Sequence, residues 1–231
     1  MTVEEQFGLE RIDGKLIYSA FQSNHFLKKL NSCIRGTEKR RREKGFIGYK
    51  IIGNPQILMS PITEGTSSRM PYDDYFHSGP GVYDVFFLHT HHSSENGIPS
   101  PGDIGWLSLA QACKAKEKTG VRPIGIVASY VNPPYISLAL HQVKKGMNPV
   151  SVCAEAKELA DASQKDVIDE DKYVSLLSRL NLGGVFFDPR TGAFDKMAIH
   201  NFDLGNQQED KLETVLEKFS FEVRHQKQSH D

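Results

Sequence analysis

The chain has 231 residues, 39% hydrophobic and 25% charged, with a formal net charge of −1. That length can bury a core without staples, that composition excludes wholesale disorder, and the near-zero charge disfavours a nucleic-acid partner. The three cysteines (Cys33, Cys113, Cys153) form no Cys-x-x-Cys pair, which argues against a disulfide framework or a cysteine zinc ribbon and suggests a reducing, cytoplasmic compartment.

The N-terminus, Met1-Thr2-Val3-Glu4-Glu5, opens no apolar run, so no secretory signal is expected. No stretch approaches the roughly 20 apolar residues of a membrane span. Lys15 to Tyr18 reads as a short strand after an Asp13-Gly14 turn. Ser23 or Asn24 can cap a helix whose apolar face is Phe26, Leu27, Leu30, Cys33 and Ile34, with Gly36 expected to interrupt or end it. The charged run Glu38 to Lys44 follows, either a solvated helix end or a contact for an anion. Phe46 to Ile52 and Gln56 to Ser60 read as strands around a Gly53-Asn54-Pro55 turn, and 61–80 as mostly loop. Within that loop, Thr66 to His77 is a candidate groove lining or lid.

Tyr83 to Leu88 is the clearest buried strand, and it runs straight into His89. A helix from Pro101 to about Lys118 follows, with Trp106, Leu107, Ala110 and Cys113 as its packing stripe. Ile124 to Ala128 and Tyr135 to Leu140 are two more strands. Beyond Gly146 the pattern predicts helices from Asn148 to about Ala162 and from about Asp169 to Leu180, the second stopped by Gly183-Gly184. A hairpin between Val185 and Phe194, a short helix around Leu212 to Phe219 and a polar end from Arg224 complete the chain. The expected fold class is α/β: a mixed sheet flanked by helices over 1–145, with a mainly helical C-terminal extension over 146–231.

Three of the nine histidines fall within His89-Thr90-His91-His92. In an extended strand, residues i and i+2 point to the same side, so His89 and His91 project together. Two imidazoles held this way are half of a zinc site, and Asp103 at the start of the next helix offers a third ligand. Two histidines and one carboxylate leave a fourth tetrahedral position for water, which is the catalytic rather than the closed arrangement. Each residue also has a plainer role. Ser100-Pro101-Gly102-Asp103 reads as a capping box, and a histidine at a strand end is commonly a satisfied polar residue. The chain has neither a Gly-x-Ser-x-Gly elbow nor the Pro-Cys-x-x-Cys of zinc deaminases.

Together, His89-Thr90-His91 and Ser100-Pro101-Gly102-Asp103 resemble the JAMM metallopeptidase motif of the JAB/MPN family, His-x-His then Ser-x-x-Asp, after an apolar strand and opening a helix. The resemblance covers roughly residues 15–142 and implies an MPN/JAB-like fold of cytidine-deaminase-like layout. It implies Zn2+ held by His89, His91 and Asp103, a glutamate upstream as general base, and Ser100 as donor to the oxyanion. Glu43 fits the glutamate's place best, with Glu38 and Glu64 as alternatives. The implied activity is hydrolysis of a peptide or isopeptide bond, on a polypeptide with an extended tail, such as the ubiquitin-like tails that similar family members cleave, docking as an added strand. Two departures mark an outlying branch. The spacer from His92 to Pro99 holds eight residues, one more than the family's pattern, and His92 stands where better-known members carry proline. His92 is then a substrate contact, a surplus ligand or an exposed loop residue. The competing functions are a non-catalytic MPN-type scaffold and a nucleic-acid-linked protein of the same fold that uses Lys39 to Arg42. The resemblance points to no particular oligomeric state.

Overall fold

The computed structural model describes residues 20–51, 53–66, 81–92, 97–116, 122–132, 135–163, 169–188 and 193–194. The expected strand at 15–18, nearly all of the loop at 66–77, the helix at 212–219 and the polar end lie outside the described residues.

Helix α1 (Asn24–Arg40) starts where the Ser23 hydroxyl accepts the Phe26 N–H at 3.1 Å. It buries Phe26, Leu30, Cys33, Ile34 and Thr37, a stripe at helical spacing. The helix ends at Arg41, whose left-handed backbone (φ 51°) returns its N–H to the Thr37 carbonyl. Gly36 does not interrupt it, contrary to expectation. The Lys44 side chain crosses the helix there, and a Cβ on Gly36 would lie 2.4 Å from its Cε. This glycine serves a close approach rather than a break.

The remaining elements are β1 (Lys44–Ile51), β2 (Leu58–Met59), β3 (Thr63–Glu64), β4 (Val82–Thr90), α2 (Pro101–Lys116), β5 (Ile124–Asn132), β6 (Tyr135–Val143), α3 (Pro149–Ser163), α4 (Glu170–Leu177), β7 (Leu180–Asp188) and β8 (Ala193–Phe194). They form a mixed sheet in the order β2-β1-β4-β5-β6-β7-β8, with β3 also paired to β1. The β4–β5 pair is parallel, and α2 makes the crossover that parallel neighbours require. The other pairs are antiparallel.

Helices cover both faces. On one, Phe26, Leu30 and Ile34 of α1 pack against Phe46, Phe86, Leu88, Ile126 and Leu138. On the other, Leu107 and Ala110 of α2 meet Ile47 and Phe87. Alongside, Ile104 and Val143 join Val152, Ala156, Leu159, Leu176 and Leu177 of α3 and α4. A strand covered on both faces reads as a near-continuous apolar run, which is why Tyr83 to Leu88, broken by the buried Asp84 alone, reads as a strand. Cys113 departs from its expected packing and is exposed. It lies about 120° around the helix from Leu107, off the face that meets the sheet.

Among the described residues after 145, one boundary differs from expectation. The helix stops at Leu177, and Gly183 and Gly184 lie inside β7, opposite Leu140 and Ala139. Pairing along β6 satisfies this backbone, and that tertiary context outweighs the glycines' local tendency. The hairpin is present, with Phe187 opposite Phe194 and Asp188 opposite Ala193. The same sheet thus contains strands from before and after residue 145. No helix among the described residues is long and apolar enough to cross a membrane.

Candidate metal centre

His89 shares a face with Phe87, the face covered by α2. His91 follows just past the strand, where its N–H donates to the Ala128 carbonyl at 2.9 Å and keeps the chain extended. Both rings are buried, at 4% and 6% exposure for the residues. Their Nε2 atoms lie 3.1 Å apart. Asp103, in the first turn of α2, brings Oδ1 to 3.0 Å from His89 Nε2 and Oδ2 to 3.5 Å from His91 Nε2. His89, His91 and Asp103 are the group of three donors among the described residues that can hold a metal ion.

The donor set fits zinc. Tetrahedral ligands at about 2.0–2.1 Å from the ion sit about 3.3–3.4 Å from one another. The two Nε2 atoms at 3.1 Å and the His89 Nε2–Asp103 Oδ1 pair at 3.0 Å lie a few tenths of an ångström inside that edge, and one donor atom from each residue lies within 4.8 Å of the others. Burial alone raises the Asp103 carboxyl, but charge on His89 and hydrogen bonds from both imidazoles outweigh it and hold the group well below the usual range. Asp103 stays an anion, which is the form that binds a metal.

The capping role and the ligand role coexist. The Ser100 N–H donates to Asp103 Oδ2 at 2.7 Å, and the Asp103 N–H donates to Ser100 Oγ at 3.2 Å. This reciprocal pair is a capping box, and it fixes the carboxylate with Oδ1 toward His89. Ser100 Oγ accepts in that pair, so its own hydroxyl proton can be donated elsewhere.

The three glutamates separate by position. Glu43 is 7% exposed. Gly45 pairs with His89, so counting back along β1 brings Glu43 level with His91 on the histidine face. Glu64 pairs with Lys44 in the sheet, and neighbouring positions of a strand face opposite ways, so it lies on the other face. There it meets Lys44 at 2.6 Å, Arg40 at 3.0 Å and Arg42 at 3.5 Å, and the Lys44 hydrogen bond lowers its pKa. Glu38 on α1 lies 3.5 Å from His92 Nε2. His92 is half-buried in that pair and is not one of the three clustered donors.

Two residues near the site carry no local sequence signal. Tyr173 of α4 donates its hydroxyl to the Pro99 carbonyl at 2.6 Å, across 74 residues of sequence. His141 of β6 is 1% exposed and lies opposite Gly125, on the face of Phe87. Neither of its ring nitrogens makes a hydrogen bond of ordinary geometry among the described residues. Burial pushes its pKa down to about 4, so it is neutral at pH 7. No family model matches the chain, and no curated protein matches it in sequence.

Proposed function

We propose that the chain is a cytoplasmic, JAMM-type zinc metallopeptidase that hydrolyses a peptide or isopeptide bond of a polypeptide with an extended, ubiquitin-like tail. The observation that carries this reading is the convergence of two buried imidazoles and one carboxylate, each at a motif position. His89, His91 and Asp103 hold the ion in this reading. Bound zinc supplies a Lewis acid and lowers the pKa of water from 15.7 toward about 7.

The chain's own residues do the rest. Glu43, buried on the histidine face, takes the proton of the attacking water and gives it to the leaving amine. Ser100 donates its hydroxyl proton to the carbonyl oxygen as negative charge develops there. Asp103 and the capping box keep the ligands and that hydroxyl in fixed relation.

Purified full-length protein is expected to carry about one zinc per chain by elemental analysis, in line with one three-ligand site. Glu43→Gln should keep zinc and lose about 10²–10⁴ in turnover on an isopeptide-linked substrate. His89→Ala and Asp103→Ala should lose zinc. Wild-type protein that neither retains nor takes up zinc overturns the metal reading. Full turnover in Glu43→Gln overturns the assignment of the base, and zinc without any turnover favours the non-catalytic scaffold.

A further inference from the structure

We propose that Tyr173 is a positioning residue of the metal centre: from α4, its hydroxyl holds the peptide group that presents Asp103 to the two histidines. The functional consequence rests on the metal-centre reading above; the positioning itself does not.

The argument runs through one peptide plane. The carbonyl that Tyr173 holds at 2.6 Å belongs to Pro99. The same planar group carries the Ser100 N–H, which donates to Asp103 Oδ2 at 2.7 Å. A peptide group is rigid, so fixing its oxygen fixes the direction of its N–H. The order is therefore Tyr173 hydroxyl, Pro99 carbonyl, Ser100 N–H, Asp103 carboxylate, His89 and His91. Hydrogen bonds on the two ends of one amide also polarise each other, so the Ser100 N–H becomes a better donor to the carboxylate.

Tyr173 is itself well anchored. Asp169 caps α4 by accepting the Lys172 N–H at 3.1 Å. Leu176 and Leu177 of the same helix are buried with Ile104 of α2, and Tyr173 packs against that cluster. The helix that carries Tyr173 and the helix that carries Asp103 thus share one apolar contact. Burial and the nearby Asp103 charge both raise the Tyr173 hydroxyl, so it stays protonated and remains a donor. The segment after residue 145 therefore supplies part of the support for a ligand set that comes entirely from before it.

Tyr173→Phe removes the hydroxyl and keeps the ring. In the metal-free protein, hydrogen exchange at the Ser100 and Asp103 amides should quicken. Zn2+ affinity, read by competition with a chromophoric chelator, should fall about 10–100-fold, the range for loss of an outer-shell hydrogen bond. The visible absorption bands of the Co2+-loaded protein should shift as the carboxylate reorients. Leu159→Ala, a buried position of the same helical cluster, should lower the melting temperature while leaving Zn2+ affinity and the Co2+ bands unchanged. That comparison separates positioning from general stability. Wild-type exchange at both amides in Tyr173→Phe overturns the positioning role, whatever the metal result. Faster exchange with unchanged Zn2+ affinity and Co2+ bands overturns its link to the metal. A wild-type protein that binds neither ion sinks the metal-centre reading instead, while the exchange data still decide whether Tyr173 holds the cap.

Discussion

Thr90 stands between the two histidines and faces the opposite way. Its hydroxyl donates to the Lys44 carbonyl at 3.0 Å, receives the Lys44 N–H at 3.2 Å and lies 2.5 Å from the Thr37 hydroxyl of α1. One side chain thereby ties the end of β4 to the start of β1, next to Glu43. Behind this knot, Cys33 is buried among apolar side chains. Burial raises its thiol from an ordinary value of 9.0 to about 12, despite the nearby charges of Lys44 and Lys29. That leaves far less thiolate on Cys33 than on an exposed cysteine at the same pH. Alkylation at pH 8 should therefore label exposed Cys113 first and half-buried Cys153 more slowly, with Cys33 reacting only on unfolding; mass mapping of a time course checks this. The sign of the linked pH effect follows from the raised value. The Cys33 contribution to stability is whole below about pH 9 and is lost as pH climbs toward 12.

Between elements, the tightest interlock on the α2 face is where β6 meets β5. A Cβ on Gly125 would stand 2.3 Å from the buried His141 ring, so one of the two would have to shift. Gly125→Ala should cost about 1–3 kcal/mol by overpacking. In a His141→Ala background that cost should fall close to zero, and urea unfolding of the four-member cycle measures the coupling. The same interlock shows where local reading of the chain stops. His89, His91, Ser100 and Asp103 were legible because strand alternation and a capping box are short-range patterns. Sequence position alone favoured Glu43 over Glu38 and Glu64, but its level with His91 and the opposite face of Glu64 follow from strand register, which no window of sequence contains. His141 and Tyr173 were invisible as site residues for the same reason. Gly183-Gly184 was misread as a helix stop because β6, the partner that makes it a strand, lies some forty positions earlier.

For the whole molecule, the sheet decides how far the chain can be cut. β7 covers the edge of β6 from Val143 to Ile136, and α3 and α4 cover Ile104 and Val143. A fragment of residues 1–145 would bare that edge and that apolar surface, both of which favour aggregation. It should lack a cooperative unfolding transition, whereas the full chain shows one; calorimetry of the two proteins distinguishes these outcomes. In the proposed metal centre, the carboxylate of Asp103 also bears on which ions the site would suit. Its Oδ2 is already engaged by the Ser100 amide, so only Oδ1 is presented without a competing backbone donor. Calcium asks for six to eight oxygens, often with a carboxylate gripping through both of its own, and magnesium for an octahedron of oxygens. A pair of imidazoles and one carboxylate offers neither, so in the proposed reading this donor set would suit a nitrogen-seeking ion better than the abundant hard cations.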